Sequence, residues 1–310
     1  MKLEPLSQAD IGPMTVLMEE EEEAWRRELD WDFAPIRRIL LSFLKRRMLP
    51  GFVLRTGRKA IGYSYFLVAQ RKGVIGAVYA SPPNPQETAD RILSQAITSL
   101  KEIHNLGRIE SQILPLHGLD ATAIFLRHGF HSYLRHYLEL DLAHWDDAEA
   151  DSEPIIPWQS NQLALAAGVA CLSYRNGIDQ LICEDYGTEA NCEIYLRSLV
   201  ENPGCGVFLP DSSFMSLNRH GEPSGFILTS YISPSAAMIP QIAIHPAYQG
   251  RGLGSALIRR SLHRLRAAGY STVRLTVTGK NRRAAEWYRR LGFKNRRDFG
   301  AYVWLREASL

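Results

Sequence analysis

Ile242-Ala-Ile-His-Pro-Ala-Tyr-Gln249-Gly250-Arg251-Gly252-Leu253-Gly254-Ser255 runs from an apolar strand through a turn at Pro246 into a glycine-rich stretch, and then directly into an amphipathic helix over Ser255–Ala268. A loop of this kind presents backbone N–H groups at a helix N-terminus, where no carbonyl within the helix accepts them and the macrodipole is positive. That is the arrangement a phosphate or pyrophosphate needs. Glycine at 250, 252 and 254 lets the backbone approach an anion with no Cβ in the way and admits positive φ. The plainer alternative is a tight strand-to-helix turn without a ligand. A dinucleotide site would want Gly-x-Gly-x-x-Gly and an acid about 20 positions on; here position 255 is Ser and no Asp or Glu occurs between Pro246 and Glu286. The Lys-Ser/Thr of a P-loop is missing too, because Gly254 is followed by Ser255-Ala256. Hydride transfer and nucleotide hydrolysis are therefore not expected.

Downstream of a strand over Thr272–Val277 comes a second pattern, Asn281-x-x-Ala284-x-x-x-Tyr288-x-x-x-Gly292-Phe293. Together the two resemble the paired signatures of the GNAT superfamily of N-acetyltransferases, with Gln249 to Gly254 as the pyrophosphate loop. The resemblance implies an α/β fold with a mixed, centrally splayed sheet flanked by helices. It implies acetyl-CoA as cosubstrate, lying where the fourth and fifth strands, Met238–Ile244 and Thr272–Val277, part. On this reading Ile242, Ala243, Ile244, Gln249, Gly250, Arg251, Gly252, Leu253, Gly254, Ser255 and Asn281 contact the cofactor.

Moving an acetyl group from a thioester to a primary amine by direct attack needs a base, donors for the oxyanion and an acid for the leaving thiolate. Tyr288 is the candidate acid, since a phenol with pKa near 10 is protonated at neutral pH and a thiolate is a ready acceptor. The competing role for Tyr288 is an apolar contact on the helix Arg282–Arg290. Asn281 either caps that helix or touches the cofactor. The base is harder to place. Many family members carry a Glu on the fourth strand, where this chain has Pro240-Gln241, and Gln241 takes no proton. His245 has a suitable reference pKa but precedes Pro246 in a surface turn; Glu286 should face away from Tyr288. Glu184, Asp185, Glu189 and Glu193 lie where the resemblance puts the acceptor, either holding a cationic amine or forming a solvated face.

Charge is uneven. The chain of 310 residues carries a net +3, yet from Gln249 to Arg297 fourteen Lys or Arg face a single acid, Glu286. Such a patch attracts polyanions, coenzyme A among them. Sparse aromatic interleaving speaks against nucleic acid.

At this length and with 45 % hydrophobic residues the chain should hold two domains. Sliding the halves by 163 positions places Gly62 on Gly225, Pro83 on Pro246, Gln86 on Gln249 and Gly129-Phe130 on Gly292-Phe293. Residues 1–143 thus read as a second, degenerate GNAT-like domain, 144–154 as an acidic linker and 155–310 as the acetyl-CoA-binding domain. In the first half Glu87, Ala89 and Arg91 replace the loop glycines and Phe125 replaces Tyr288. One acetyl-CoA per chain is expected. The tandem organisation also resembles that of mycothiol synthase, whose acceptor is an amino-sugar conjugate. Peptide N-termini, polyamines and aminoglycosides are equally open as acceptors, and a non-catalytic acetyl-CoA sensor is the alternative to an enzyme. Four cysteines without a Cys-x-x-Cys or His pairing suggest free thiols, no metal and a cytoplasmic setting. No apolar run of membrane-spanning length occurs, so no membrane partner is expected.

Overall fold

A computed structural model describes residues 1–145 and 154–307. By contacts the chain divides into one unit of Met1–Arg135 with Asp298–Leu310, and another of His136–Arg297. The segment bounds 1–143 and 155–310 do not coincide with these units, because two strands cross them. The acidic stretch 144–154 read as a linker falls mostly on residues 146–153, outside the described residues; Trp145, within it, is buried.

The first unit contains β1 (Lys2–Pro5), α1 (Ile11–Leu29), α2 (Ala34–Lys45), β2 (Gly51–Thr56), β3 (Lys59–Ala69), β4 (Lys72–Ala80), α3 (Pro85–Glu102), β5 (Arg108–Ile113) and α4 (Thr122–Arg127), and β6 (His131–Asp141) begins in it. β1 to β4 form antiparallel neighbours in chain order, and β4 and β5 are parallel over Lys72–Ile75 and Arg108–Ser111. The far edge of β5 is taken by the chain's last strand, whose residues Gly300–Leu305 run antiparallel to Ile113–Arg108. α3 buries Ala89, Ile92, Leu93, Ala96, Ile97 and Leu100. This is the i, i+3, i+4 stripe of a helix packed on a sheet.

The second unit adds β7 (Ile155–Pro157), α5 (Leu163–Tyr174), α6 (Ile178–Ile182), α7 (Glu189–Glu201), β8 (Val207–Phe208), β9 (Phe214–Leu217), β10 (Pro223–Tyr231), β11 (Ala236–Ile244), α8 (Leu253–Ala267), β12 (Thr272–Thr278) and α9 (Arg282–Arg290), and it includes the start of β13 (Lys294–Leu305). Its strands run in the order β6, β12, β11, β10, β9, β7, with β8 on the edge of β10. One core lies under α8 and α9, where Leu257, Ile258, Leu262 and Leu265 meet Val273, Leu275, Tyr288 and Phe293. The other lies under α5 and α7, where Ala166, Ala170, Cys192 and Leu196 meet Phe226, Leu228 and Ala243. The buried cation Arg274 on β12 is paired with Glu139 of β6 at 2.8 Å; a charge out of water survives only with such a partner.

Candidate active site

β11 and β12 are parallel neighbours only from Ala236↔Thr272 to Ile239↔Leu275. The next residue, Pro240, has no N–H to give the ladder. From there β11 stays with β10, pairing Gln241, Ile242, Ala243 and Ile244 with Leu228, Ile227, Phe226 and Gly225, while β12 leaves. The sheet is therefore splayed at Pro240. Gly225 makes the close approach of Ile244 feasible: a Cβ there would come within 2.7 Å of Ile244 Cδ1.

The glycine-rich loop follows directly. His245 donates its backbone N–H to the Ser224 carbonyl at 2.9 Å, and its Nδ1 accepts from the Ala247 N–H at 3.2 Å. His245 thus caps a local turn, which takes up one ring nitrogen of the residue weighed as a base. Gln249 folds back, its Nε2 donating to the Ile244 carbonyl at 3.1 Å. Gly250 and Gly252 have φ of +78° and +87°, a region that L side chains avoid. α8 starts at Leu253, two residues before the expected Ser255, with Gly252 in the N-cap position. The N–H groups of that first turn have no carbonyl inside the helix. Gly254 serves packing: a Cβ there would touch the Trp287 ring at 3.4 Å. Trp287 Nε1 donates to Ser255 Oγ at 3.0 Å, tying α9 to the first turn of α8. The Arg251 guanidinium lies over the Tyr248 ring, 5.6 Å from its centroid. Arg283, which sequence reasoning did not single out, brings Nη2 to 4.0 Å from where a Gly250 Cβ would stand.

Tyr288 is buried between Trp287, at a ring separation of 4.7 Å, and Phe293, at 5.8 Å. Its ring is thus part of the core as well as of the second signature. Asn281 caps α9, its Oδ1 accepting from the Ala284 N–H at 3.2 Å. Its Nδ2 donates to Asp179 Oδ2 at 3.2 Å, and Asp179 Oδ1 accepts from Thr278 Oγ1 at 2.5 Å. Asp179, on the short α6, was missed in the sequence because nothing around it announces a link to residues a hundred positions away.

On the α5 and α7 side of β11, Gln241 accepts a hydrogen bond from the Tyr186 hydroxyl at 3.0 Å. Tyr186 stacks on Tyr174 at 4.2 Å, and the Tyr174 hydroxyl donates to the Ile242 carbonyl at 2.8 Å. Burial drives the Tyr186 hydroxyl pKa well above its ordinary value, so it donates and does not ionise. Of the acids expected near the acceptor, Glu184 and Glu189 are exposed. Glu193 pairs with Arg197 at 2.7 Å; this face is largely solvated. The four cysteines are free thiols, and burial pushes Cys192 up to about 12, too high for a nucleophile at neutral pH. Among the described residues no group of His, Cys, Asp and Glu is arranged to hold a metal, and no helix is long and apolar enough to cross a membrane.

The first unit lacks the loop for a reason visible in its backbone. α3 begins at Pro85 with Pro at its first turn, so Glu87, Ala89 and Arg91 are already helical where Gly250, Gly252 and Gly254 stand in the other unit. Thr88 and Ala89 are buried there. A Cβ on Gly62 would come within 2.5 Å of Thr88 Cγ2, so α3 packs directly on β3. Phe125, at the position of Tyr288, is stacked face to face on Tyr302 of the last strand at 4.0 Å.

Residues 175–293 match the model of the Acetyltransferase (GNAT) family. A mycothiol acetyltransferase of Gordonia bronchialis is 35 % identical over 99 residues, which is 31 % of this chain and 32 % of that protein; the chain spans about a third of the length of that relative. Two solved structures are similar along nearly the whole chain. One is a tandem GNAT protein from the clavulanic acid biosynthesis pathway, with TM-score 0.63, 16 % identity, and coverage of 99 % of this chain and 100 % of that one. The other is a GCN5-related N-acetyltransferase from Sphaerobacter thermophilus, with TM-score 0.66, 14 % identity, and coverage of 98 % and 95 %. The fold is thus GNAT-like across the whole chain, with a mixed, splayed sheet flanked by helices. The match to the GNAT family lies within the second unit.

Proposed function

We propose that the second unit binds acetyl-CoA along the open edge of β11 and transfers the acetyl group to a primary amine by direct attack in a ternary complex. One observation carries this reading: the strands part at Pro240 immediately before a loop whose Gly250 and Gly252 hold positive φ and which delivers the start of α8, with Arg283 alongside. The loop N–H groups and Arg283 would take the pyrophosphate, with Gln249, Arg251, Leu253, Gly254 and Ser255 shaping the loop. Ile242, Ala243 and Ile244 would flank the pantetheine, and backbone donors of β11 would face the oxyanion. Asn281, as the cap of α9, would hold the helix that carries Tyr288, and the Tyr288 hydroxyl would protonate the coenzyme A thiolate. With Gln241 on the strand, the ammonium proton would leave to water or to a group of the acceptor site.

The likeness to a mycothiol acetyltransferase makes an amine on an amino-sugar conjugate the first acceptor to try. Coenzyme A release from acetyl-CoA across a panel of amines tests the reading. Steady, amine-dependent release is expected, whereas tight acetyl-CoA binding without release for any amine would favour a sensor.

A further inference from the structure

Gln241 is 3 % exposed. Its Oε1 is held by the Tyr186 hydroxyl, which fixes the carboxamide plane and with it the opposite end of the group. At that end Nε2 is buried without a hydrogen-bond partner among the described residues. A buried donor left so costs the desolvation of the group and is rare in native structures. The residue stands one position past the point where β11 and β12 part. Around it the frame is aromatic: Tyr174 stacks on Tyr186, and Tyr195 meets the Tyr186 ring edge-on at 5.4 Å.

An unpaired neutral donor one residue past the split of the sheet calls for an oxygen acceptor. We propose that Gln241 Nε2 is the specificity donor for a carbonyl or hydroxyl oxygen carried by the acceptor next to its amino group. The inference rests on the acetyl-transfer reading above and narrows its substrate class to amines bearing such an oxygen. A site built to donate rejects an analogue without the oxygen, because the donor then stays unpaired.

The test uses two small amines of similar shape, glycinamide and isobutylamine, titrated by calorimetry into the full chain saturated with coenzyme A, so that no turnover is required. The wild type should bind glycinamide about tenfold more tightly or better, and Gln241→Met should bind the two within about twofold while keeping its acetyl-CoA affinity. Where Gln241→Met alone does not fold, the double variant Tyr186→Phe/Gln241→Met, which removes the hydroxyl that would be orphaned, gives the same readout. Equal affinity of the wild type for both amines, binding of neither, or preference retained in the variant would overturn the assignment. Acetylation of the amines is followed separately. Preference without acetylation counts against acetyl transfer and leaves the donor role standing, and acetylation without preference does the reverse.

Discussion

Asp179 Oδ1 accepts a hydrogen bond from Thr278 Oγ1 at 2.5 Å. Through its other oxygen, the same carboxylate receives the amide of Asn281, the cap of α9. One side chain on α6 thus holds both the end of β12 and the start of the helix that carries Tyr288. Replacing it with Ala leaves two donors without their acceptor, at a cost of about 1–3 kcal/mol. Denaturant unfolding of Asp179→Ala should show a loss of that size. A change within about 0.5 kcal/mol, the range of an ordinary surface substitution, would mean that the clasp contributes nothing.

Tyr288 is both a core ring and the candidate acid, and the two roles separate in one substitution. Phe keeps the contacts with Trp287 and Phe293 and removes only the hydroxyl. Tyr288→Phe should lower kcat by roughly 100-fold with acetyl-CoA affinity nearly unchanged. Full kcat under conditions where chemistry limits the rate would assign the residue to packing.

In the first unit, burial raises Glu21 to about 7 from the ordinary carboxylate value; it accepts from the Tyr63 hydroxyl at 2.6 Å and from Trp25 Nε1 at 3.2 Å. A carboxyl raised on folding binds more protons in the native than in the unfolded state between those two values, so stability falls as pH rises through that window. The full contribution is present below about pH 4.5, and the loss is complete somewhat above pH 7. Glu21→Gln, which has no proton to lose, should melt at nearly the same temperature at pH 5.5 and pH 8, while the wild type melts lower at pH 8. Parallel pH profiles would show that Glu21 does not titrate in this range.

The glycine-rich loop, α8 and the ring of Tyr288 were legible in the sequence because each rests on local chemistry: glycine where φ is positive, an apolar stripe at helical spacing, an Asn at a helix start. The 163-residue offset sets Gly62 of β3 against Gly225 of β10. α3 starts at Pro85, ahead of Glu87, Ala89 and Arg91, because proline at the first helical turn is pre-organised for a helix. The placement of Gly300–Leu305 beside β5 could not be read at all, since an alternating strand announces its faces and not its neighbour. Asp179 and Arg283 belong to the same class: the contacts that make them relevant come from the tertiary fold.

One acetyl-CoA is expected per chain, bound at the loop of the second unit. Gly252 makes the decisive variant, because a Cβ there meets open space within 4 Å and Asp therefore adds a charge and an unfavourable φ without a packing clash. Calorimetric titration of acetyl-CoA into the wild type should give one site per chain. Gly252→Asp, shown to be folded by its circular dichroism, should lose at least about 2 kcal/mol of that binding. Unchanged affinity in the folded variant would place the cofactor elsewhere, and two equivalent sites in the wild type would mean that the first unit binds it too.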